Sequence, residues 1–317
     1  MAQYLLRRLG MTIVVVLLVM VLLSVLVHLV PGDPARAILG GSATAESVAQ
    51  VRADMGLDDP LYEQIARFVS GAVRGDLGTD FVSSEPVTSF LWTALPHTIA
   101  LTVAALLIAS LIGIPAGVFS ATHPRSPASW PINALSIVLI TLPSYLAGLF
   151  LLIVFATGLK VLPAVGAGSF SDPVDYLRHL ILPAVALGAA WTGYFARLVR
   201  ASMLEVLSTN YVRAQRAYGL RRRTIHYRYA LKNAIIPVVA MLGVGLGSLM
   251  AGAIFVELIF ARPGLGTMIY DAIQQKNYPV LRGGVLVVAI LFVVANLLAD
   301  LSYRFLDPRI RLRERAA

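Results

Sequence analysis

Cysteine is absent from the 317 residues, which excludes disulfide frameworks, thiolate nucleophiles and cysteine metal sites and leaves the redox compartment unread. Charge is scarce as well: 14% of residues are Asp, Glu, Lys or Arg, against about a quarter in soluble domains. Lysine occurs only as Lys160, Lys232 and Lys276, preceded by leucine, leucine and glutamine. A P-loop ends in Gly-Lys-Ser/Thr to cradle phosphates, so the chain has none and is expected to bind no ATP itself. The five histidines, His28, His97, His123, His179 and His226, are scattered without HxxxH or HExxH spacing, and no metal site is expected. Gly-x-Ser-x-Gly and paired carboxylates within one apolar run are also missing. Hydride, phosphoryl and hydrolytic chemistry therefore have no support, and the chain reads as no enzyme.

What it has is apolar length. The chain is 58% hydrophobic with a mean hydropathy of +0.78, and a spanning helix needs about 20 mostly apolar residues. Leu9–Leu29 meets this and is too long for a signal-peptide core. Thr98–Thr122, Pro131–Leu159, Leu180–Ala196, Ala234–Phe260 and Gly283–Ala299 supply further spans. An all-α integral membrane protein with six transmembrane helices is the expectation. Seventeen of the 26 Lys and Arg residues fall on one side of that arrangement, which places both termini in the cytoplasm. The net charge of +9 is thus largely topological, and nucleic acid is not an expected partner. In the long outer loop, Asp59 and Pro60 read as the N-cap and first residue of an amphipathic helix that runs towards Gly75, with Leu61, Ile65, Phe68, Val69 and Val73 on one stripe.

Within the spans no charge sits at mid-membrane. Glu257 is expected near the outer end of the fifth span, and Arg197 and Arg200 near the inner end of the fourth. An ion- or proton-coupled carrier acting alone predicts intramembrane acids and inverted repeats, and neither is visible. Gly113 with Gly117, and Gly243 with Gly247, have the small-residue spacing that lets helix backbones approach closely.

The segment between the fourth and fifth spans carries Arg213, Arg216, Arg221, Arg222, Arg223, His226, Arg228 and Lys232. Anionic headgroups would account for several of these at about 1 kcal/mol each. Val206, Leu207, Tyr211, Ala214, Ala217 and Tyr218 have helical spacing, Gly219 reads as the helix stop, and a second helical pattern follows from Arg221 to Lys232. Two helices meeting at a glycine form a projecting knuckle.

This order of small residues, glycine, basic stretch and proline resembles the EAA loop of ABC importer permeases. With its glycine on Gly219, E-A-A falls on Arg213, Ala214 and Gln215, and I-x-L-P on Tyr229, Ala230, Leu231 and Lys232, so the glutamate is missing and the proline is delayed to Pro237. "YVRAQRAYGL" and "YALKNAIIP" are similar to the dipeptide, oligopeptide and nickel branch, with Gln215 in place of the usual alanine. "PGDPA", "GLDDPLYEQ", "GDLGTDF", "LPHTIALTVAALLIASLIGIPAGV", "TLPSYLAGLFLL", "VELIFARPGLG", "NYPVLRGGVL" and "DPRIR" extend the resemblance in order along nearly the whole chain. The long loop after the first span resembles the B-type subunit.

The resemblance implies a type I ABC importer permease fold: an N-terminal transmembrane helix at 1–30, an extracytoplasmic helical cap at 31–96, a permease core at 97–305 with a coupling loop at 201–234, and a cytoplasmic tail at 306–317. It implies a non-catalytic subunit of the bacterial plasma membrane that carries di- or oligopeptides, with glutathione or nickel chelates as alternatives. Its partners would be a second homologous permease, two ABC ATPase subunits or domains that bind the ATP and Mg, an extracytoplasmic peptide-binding protein, and membrane lipid. Tyr211, Arg213, Ala214, Gln215, Ala217, Gly219 and Leu220 would couple to the ATPase. Thr141, Ser144, Tyr145, Thr192, Tyr194 and Asn296 are candidates for the translocation pathway, and Glu257, Asp271 and Asn277 for binding-protein docking.

Overall fold

The computed structural model describes residues 2–29, 35–36, 44–54, 58–81 and 83–306. Those residues are mostly helical and form no strand; a single bridge joins Thr79 to Pro86. In chain order the helices are α1 (Ala2–Leu29), α2 (Ala45–Asp54), α3 (Leu61–Val73), α4 (Val87–Thr122), α5 (Ser129–Thr141), α6 (Ser144–Leu151), α7 (Pro173–Leu207), α8 (Asn210–Ala217), α9 (Ile236–Ile259), α10 (Leu265–Gln274) and α11 (Tyr278–Leu306). Among the described residues α4, α7, α9 and the Tyr278–Ala299 part of α11 are long and apolar enough to cross a membrane. A fifth candidate arises if α5 and α6, the latter extended by a π-helical stretch at Leu152–Gly158, count as one broken span; Gly10–Val25 of α1 is a shorter apolar stretch.

The sequence pattern predicts one continuous span from Pro131 to Leu159, and here the structure departs from it: α5 and α6 meet at 110°. Pro143 is the cause. It drives the preceding Leu142 into extended backbone (φ −80°, ψ 115°), as the clash between a proline ring and the residue before it requires. A smaller correction concerns the outer helix. Pro60, not Asp59, is the residue that precedes α3, and no side chain caps it. Asp59 instead accepts through its main-chain carbonyl from Gln64 Nε2 at 3.0 Å and pairs its carboxylate with Arg67.

The contacts divide the chain into two compact units. One holds Met1–Thr98 and Pro263–Val293. Val87, Leu91, Leu265, Ala272 and Val280 are its apolar core. Its polar staple joins residues far apart in sequence: the Asn277 side-chain amide donates to the Asp80 carboxylate, which also accepts from Ser83 N at 2.9 Å. The Leu265 N–H donates to Thr98 Oγ1 at 2.8 Å, tying the start of α10 to α4.

The other unit holds Ile99–Arg262 and the chain from Val294, and it is organised around α7. That helix begins under a built cap: the Asp172 carboxylate accepts from Val174 N and Asp175 N at 3.0 and 3.2 Å, with Pro173 at the first helical position. It is about seven residues longer at its start, and about eleven at its end, than the apolar run that marks it, because a helix does not stop where lipid does. α7 packs against its neighbours without intervening side chains. A Cβ on Gly113 would stand 2.6 Å from the Thr192 carbonyl oxygen, one on Gly117 2.6 Å from that of Ala196, and one on Gly188 2.5 Å from that of Ala105. The small-residue spacing in α4 is therefore a packing seam. Gly243 is similarly pressed on Ala295 and Ala299 of α11.

Candidate functional site

The knuckle expected between the fourth and fifth spans is present, with one more break than its spacing suggests. α7 runs to Leu207, Ser208 and Thr209 turn the chain, and α8 follows. The chain then reverses at Gly219, whose φ of +76° lies where side-chain-bearing residues are strained. Gly219 N–H donates to the Arg216 carbonyl at 3.0 Å and Leu220 N–H to that of Gln215 at 3.3 Å, closing the end of α8. From Arg222 the backbone is helical again, passing through a π-helical stretch at Ile225–Ala230 into Leu231–Ala234.

Apolar anchors fix the base of this element: Val212 and Ala230 are fully buried, and Ile225 and Ala234 are nearly so. Across the two arms the Asn233 amide donates to the Tyr211 hydroxyl at 2.9 Å. What faces outward is the set singled out from the sequence. Tyr211, Arg213, Ala214, Ala217, Gly219 and Leu220 are exposed, and Tyr218 is 84% exposed. Gln215 differs in being half-buried, with an Oε1 that has no hydrogen-bond partner. An anchored, exposed surface of small and aromatic residues can dock in a groove.

Beside the knuckle lies a cavity of ≈ 520 Å³, lined by Arg216, Arg222 and His226 over Ala121, Leu207 and Ile225. Burial pushes the His226 imidazole below its ordinary value, and the neighbouring charges of Arg216, His123 and Arg222 push it the same way. Spacing alone did not single out this convergence, because it assembles from the end of α4 and two arms of the knuckle.

The pathway candidates do not share one environment. Thr141 is exposed at the end of α5, where its hydroxyl donates to the Val138 carbonyl at 3.0 Å. Ser144 opens α6 and is half-buried, Tyr145 is exposed and rests against Phe255 with ring centroids 6.2 Å apart, and Tyr194 is exposed on α7. Asn296 is half-buried on α11. Thr192 is buried, donates to the Gly188 carbonyl at 3.0 Å, and lies in the seam against Gly113.

Two of the three docking candidates are buried in this structure. Glu257 has no exposed surface. Its charge acts on Arg262, also fully buried, whose Nη2 donates to the Tyr176 hydroxyl at 2.8 Å. Phe170 stacks on the same Tyr176 ring at 4.5 Å between centroids. Asn277 is buried in the staple to Asp80. Both are polar because they hold the chain together, and only Asp271 remains exposed. Tyr176 and Arg262 were not legible as a pair, being 86 residues apart. Among the described residues no group of three or more His, Asp or Glu could hold a metal ion.

The family profile described as "Binding-protein-dependent transport system inner membrane component" matches residues 113–312, and that of its N-terminal region matches residues 1–102. The dipeptide transport system permease protein DppB of Alkalihalophilus pseudofirmus is 36% identical over 332 residues, covering 98% of this chain and all of that protein. The glutathione transport system permease protein GsiC of Shigella flexneri serotype 5b is 38% identical over 317 residues, covering 99% of this chain and all of that one. Among solved structures, an inward-facing form of the MetNI methionine ABC transporter superposes with a TM-score of 0.59 at 19% identity, over 71% of this chain and 99% of that chain, a likeness of fold. With its apolar helices and exposed knuckle, the chain belongs to the binding-protein-dependent transport system inner membrane components, as an ABC importer permease of the dipeptide family.

Proposed function

We propose that this permease subunit carries di- or oligopeptides inward across the bacterial plasma membrane, after delivery by an extracytoplasmic peptide-binding protein. The observation that carries the reading is the anchored knuckle: Val212, Ile225 and Ala230 are buried while Ala214, Ala217, Tyr218 and Gly219 face outward. In this reading both termini and the knuckle are cytoplasmic, in keeping with the excess of arginine there. Tyr211, Arg213, Ala214, Ala217, Gly219 and Leu220 receive the ATPase. Small side chains permit close approach, Gly219 makes the turn, and Arg213 offers a charge-assisted contact. Gln215 supports the surface from its half-buried position.

ATP and its Mg belong to two separate ATPase subunits or domains, and this chain performs no chemistry. A second homologous permease, forming a heterodimer, completes the pathway, with Thr141, Ser144, Tyr145, Tyr194 and Asn296 as its candidate lining and six crossing segments in this subunit. Asp271 and the exposed face of α3 receive the binding protein. Glutathione is a second reading, favoured by the relatives named for its transport, and it is itself a tripeptide.

The test is ATP-dependent uptake by vesicles containing the co-expressed complex, with labelled di- and tripeptides and labelled glutathione. Gly219→Pro cannot adopt the observed φ and removes a hydrogen bond; Ala217→Trp enlarges an exposed residue and leaves the buried anchors alone. Loss of uptake in both, with the binding protein still captured, is the expected result. Uptake independent of ATP and indifferent to both substitutions overturns the importer reading.

A further inference from the structure

The cavity beside the knuckle has a chemistry that docking an ATPase does not use. Arg216, Arg222 and His226 converge on it, and no carboxylate lines it. Among the described residues no carboxylate pairs with either arginine. Like charges gathered around a partly enclosed space repel, and an anion between them reverses the sign of each interaction. Two guanidinium groups suit a phosphate, whose oxygens they can engage bidentately.

The floor is different from the rim. Ala121 and Ile225 are buried apolar residues, and Leu207 completes the apolar side. The cavity opens at the ends of α4 and α7, two helices long and apolar enough to cross a membrane. Its ≈ 520 Å³ is many times the share of one liquid water, about 30 Å³. A cationic rim over an apolar floor at the ends of two such helices matches a headgroup phosphate continued by its glycerol, as in the basic pockets that bind lipid headgroups between membrane helices.

We propose that Arg216, Arg222 and His226 form a discrete phosphate-binding site for the headgroup of an anionic phospholipid. The site is built from this chain alone and stands whether or not the cargo is a peptide. It differs from general attraction of basic residues to a charged surface in being saturable and confined to named side chains. Free phosphate brings the same chemistry, so the source is separated by experiment.

The full-length chain in zwitterionic detergent is titrated with phosphatidylglycerol or phosphatidylcholine and followed by native mass spectrometry. A parallel titration with inorganic phosphate is followed by phosphorus NMR line width. Saturable binding of phosphatidylglycerol, weakened about tenfold or more in Arg216→Gln/Arg222→Gln, is expected. Arg223→Gln/Arg228→Gln removes the same charge from the same segment outside the cavity and is expected to change binding by less than about twofold. Arg216→Lys/Arg222→Lys keeps the charge and loses the fork, so its affinity falls between the two; it also serves if the glutamine variant fails to fold. Binding of phosphate as tight as that of lipid supports the site and assigns it to a free anion. Equal loss in both glutamine pairs, or phosphatidylcholine binding as well as phosphatidylglycerol, overturns the proposal.

Discussion

Gly117→Ala adds one methyl group where the structure has no room for it. The new Cβ would stand 2.6 Å from the Ala196 carbonyl oxygen and 2.7 Å from Val199 Cβ, and these two atoms are backbone or directly attached to it, so no flexible side-chain end can swing away. Carbon atoms settle at about 3.5–4.0 Å, so α4 and α7 must separate by about 1 Å, a gap at which a contact forfeits between about a quarter and a half of its attraction. Overpacking of this kind costs about 1–3 kcal/mol, while replacing a mid-helix glycine by alanine returns about 1 kcal/mol of helix propensity. The expected net is a loss of up to about 2 kcal/mol. Gly10→Ala is the internal control: a Cβ there meets nothing within 4 Å, so only the propensity gain of about 1 kcal/mol applies, with the opposite sign. Reversible unfolding of both variants in detergent against denaturant concentration measures the difference. If Gly117→Ala stabilises the chain as much as Gly10→Ala, the seam is not in van der Waals contact and the reasoning fails.

Arg262→Met removes the donor to Tyr176 and leaves the Glu257 charge buried; about 3–5 kcal/mol of stability should be lost, and a second substitution, Glu257→Gln, should restore part of it in the same unfolding assay. Asp80→Ala deletes the acceptor of Asn277 and of Ser83 N, for which about 2–4 kcal/mol of destabilisation is expected from hydrogen bonds to a charged group, visible as early proteolysis of the Leu77–Val87 loop. His226 has a folded-state pKa below that of the unfolded chain. Its contribution is therefore fully present above the unfolded value of about 6.5 and is lost as pH falls through the folded one. The wild type should lose thermal stability on acidification from about pH 7.5 to about pH 5.5 more steeply than His226→Gln, and equal slopes would contradict the assignment.

The features legible in the sequence are those written locally. Gly219 as a stop, the small-residue seam at Gly113 and Gly117, and the amphipathic α3 each follow from residues within a few positions of one another, and each is present. Pro143 was legible in principle, since the residue before a proline avoids helical backbone, yet the apolar run on both sides masked the 110° bend. Burial of charge was not legible. Asn277 looked like surface polarity because its partner lies elsewhere, Asp80 being 197 residues away, and Glu257 because the Tyr176 that completes its cluster with Arg262 is remote in sequence. Thr192 is a different case, its hydroxyl being used within its own helix while its backbone carbonyl meets Gly113. A polar side chain in an apolar run states that a partner exists, and only the fold says where.

α7 has a mechanical meaning beyond its packing. At about 1.5 Å per residue its 35 residues reach about 52 Å, and its last turn hands the chain directly to the knuckle. Pro183 interrupts it, since a proline cannot donate to the carbonyl of His179. The two lengths on either side are held by different partners within one unit. Thr192 and Ala196 are locked to α4 through bare glycines, while Tyr176 is held by Arg262. The turn of α7 that lacks its hydrogen bond thus lies between two separately held lengths, and bending of the helix is expected to concentrate there.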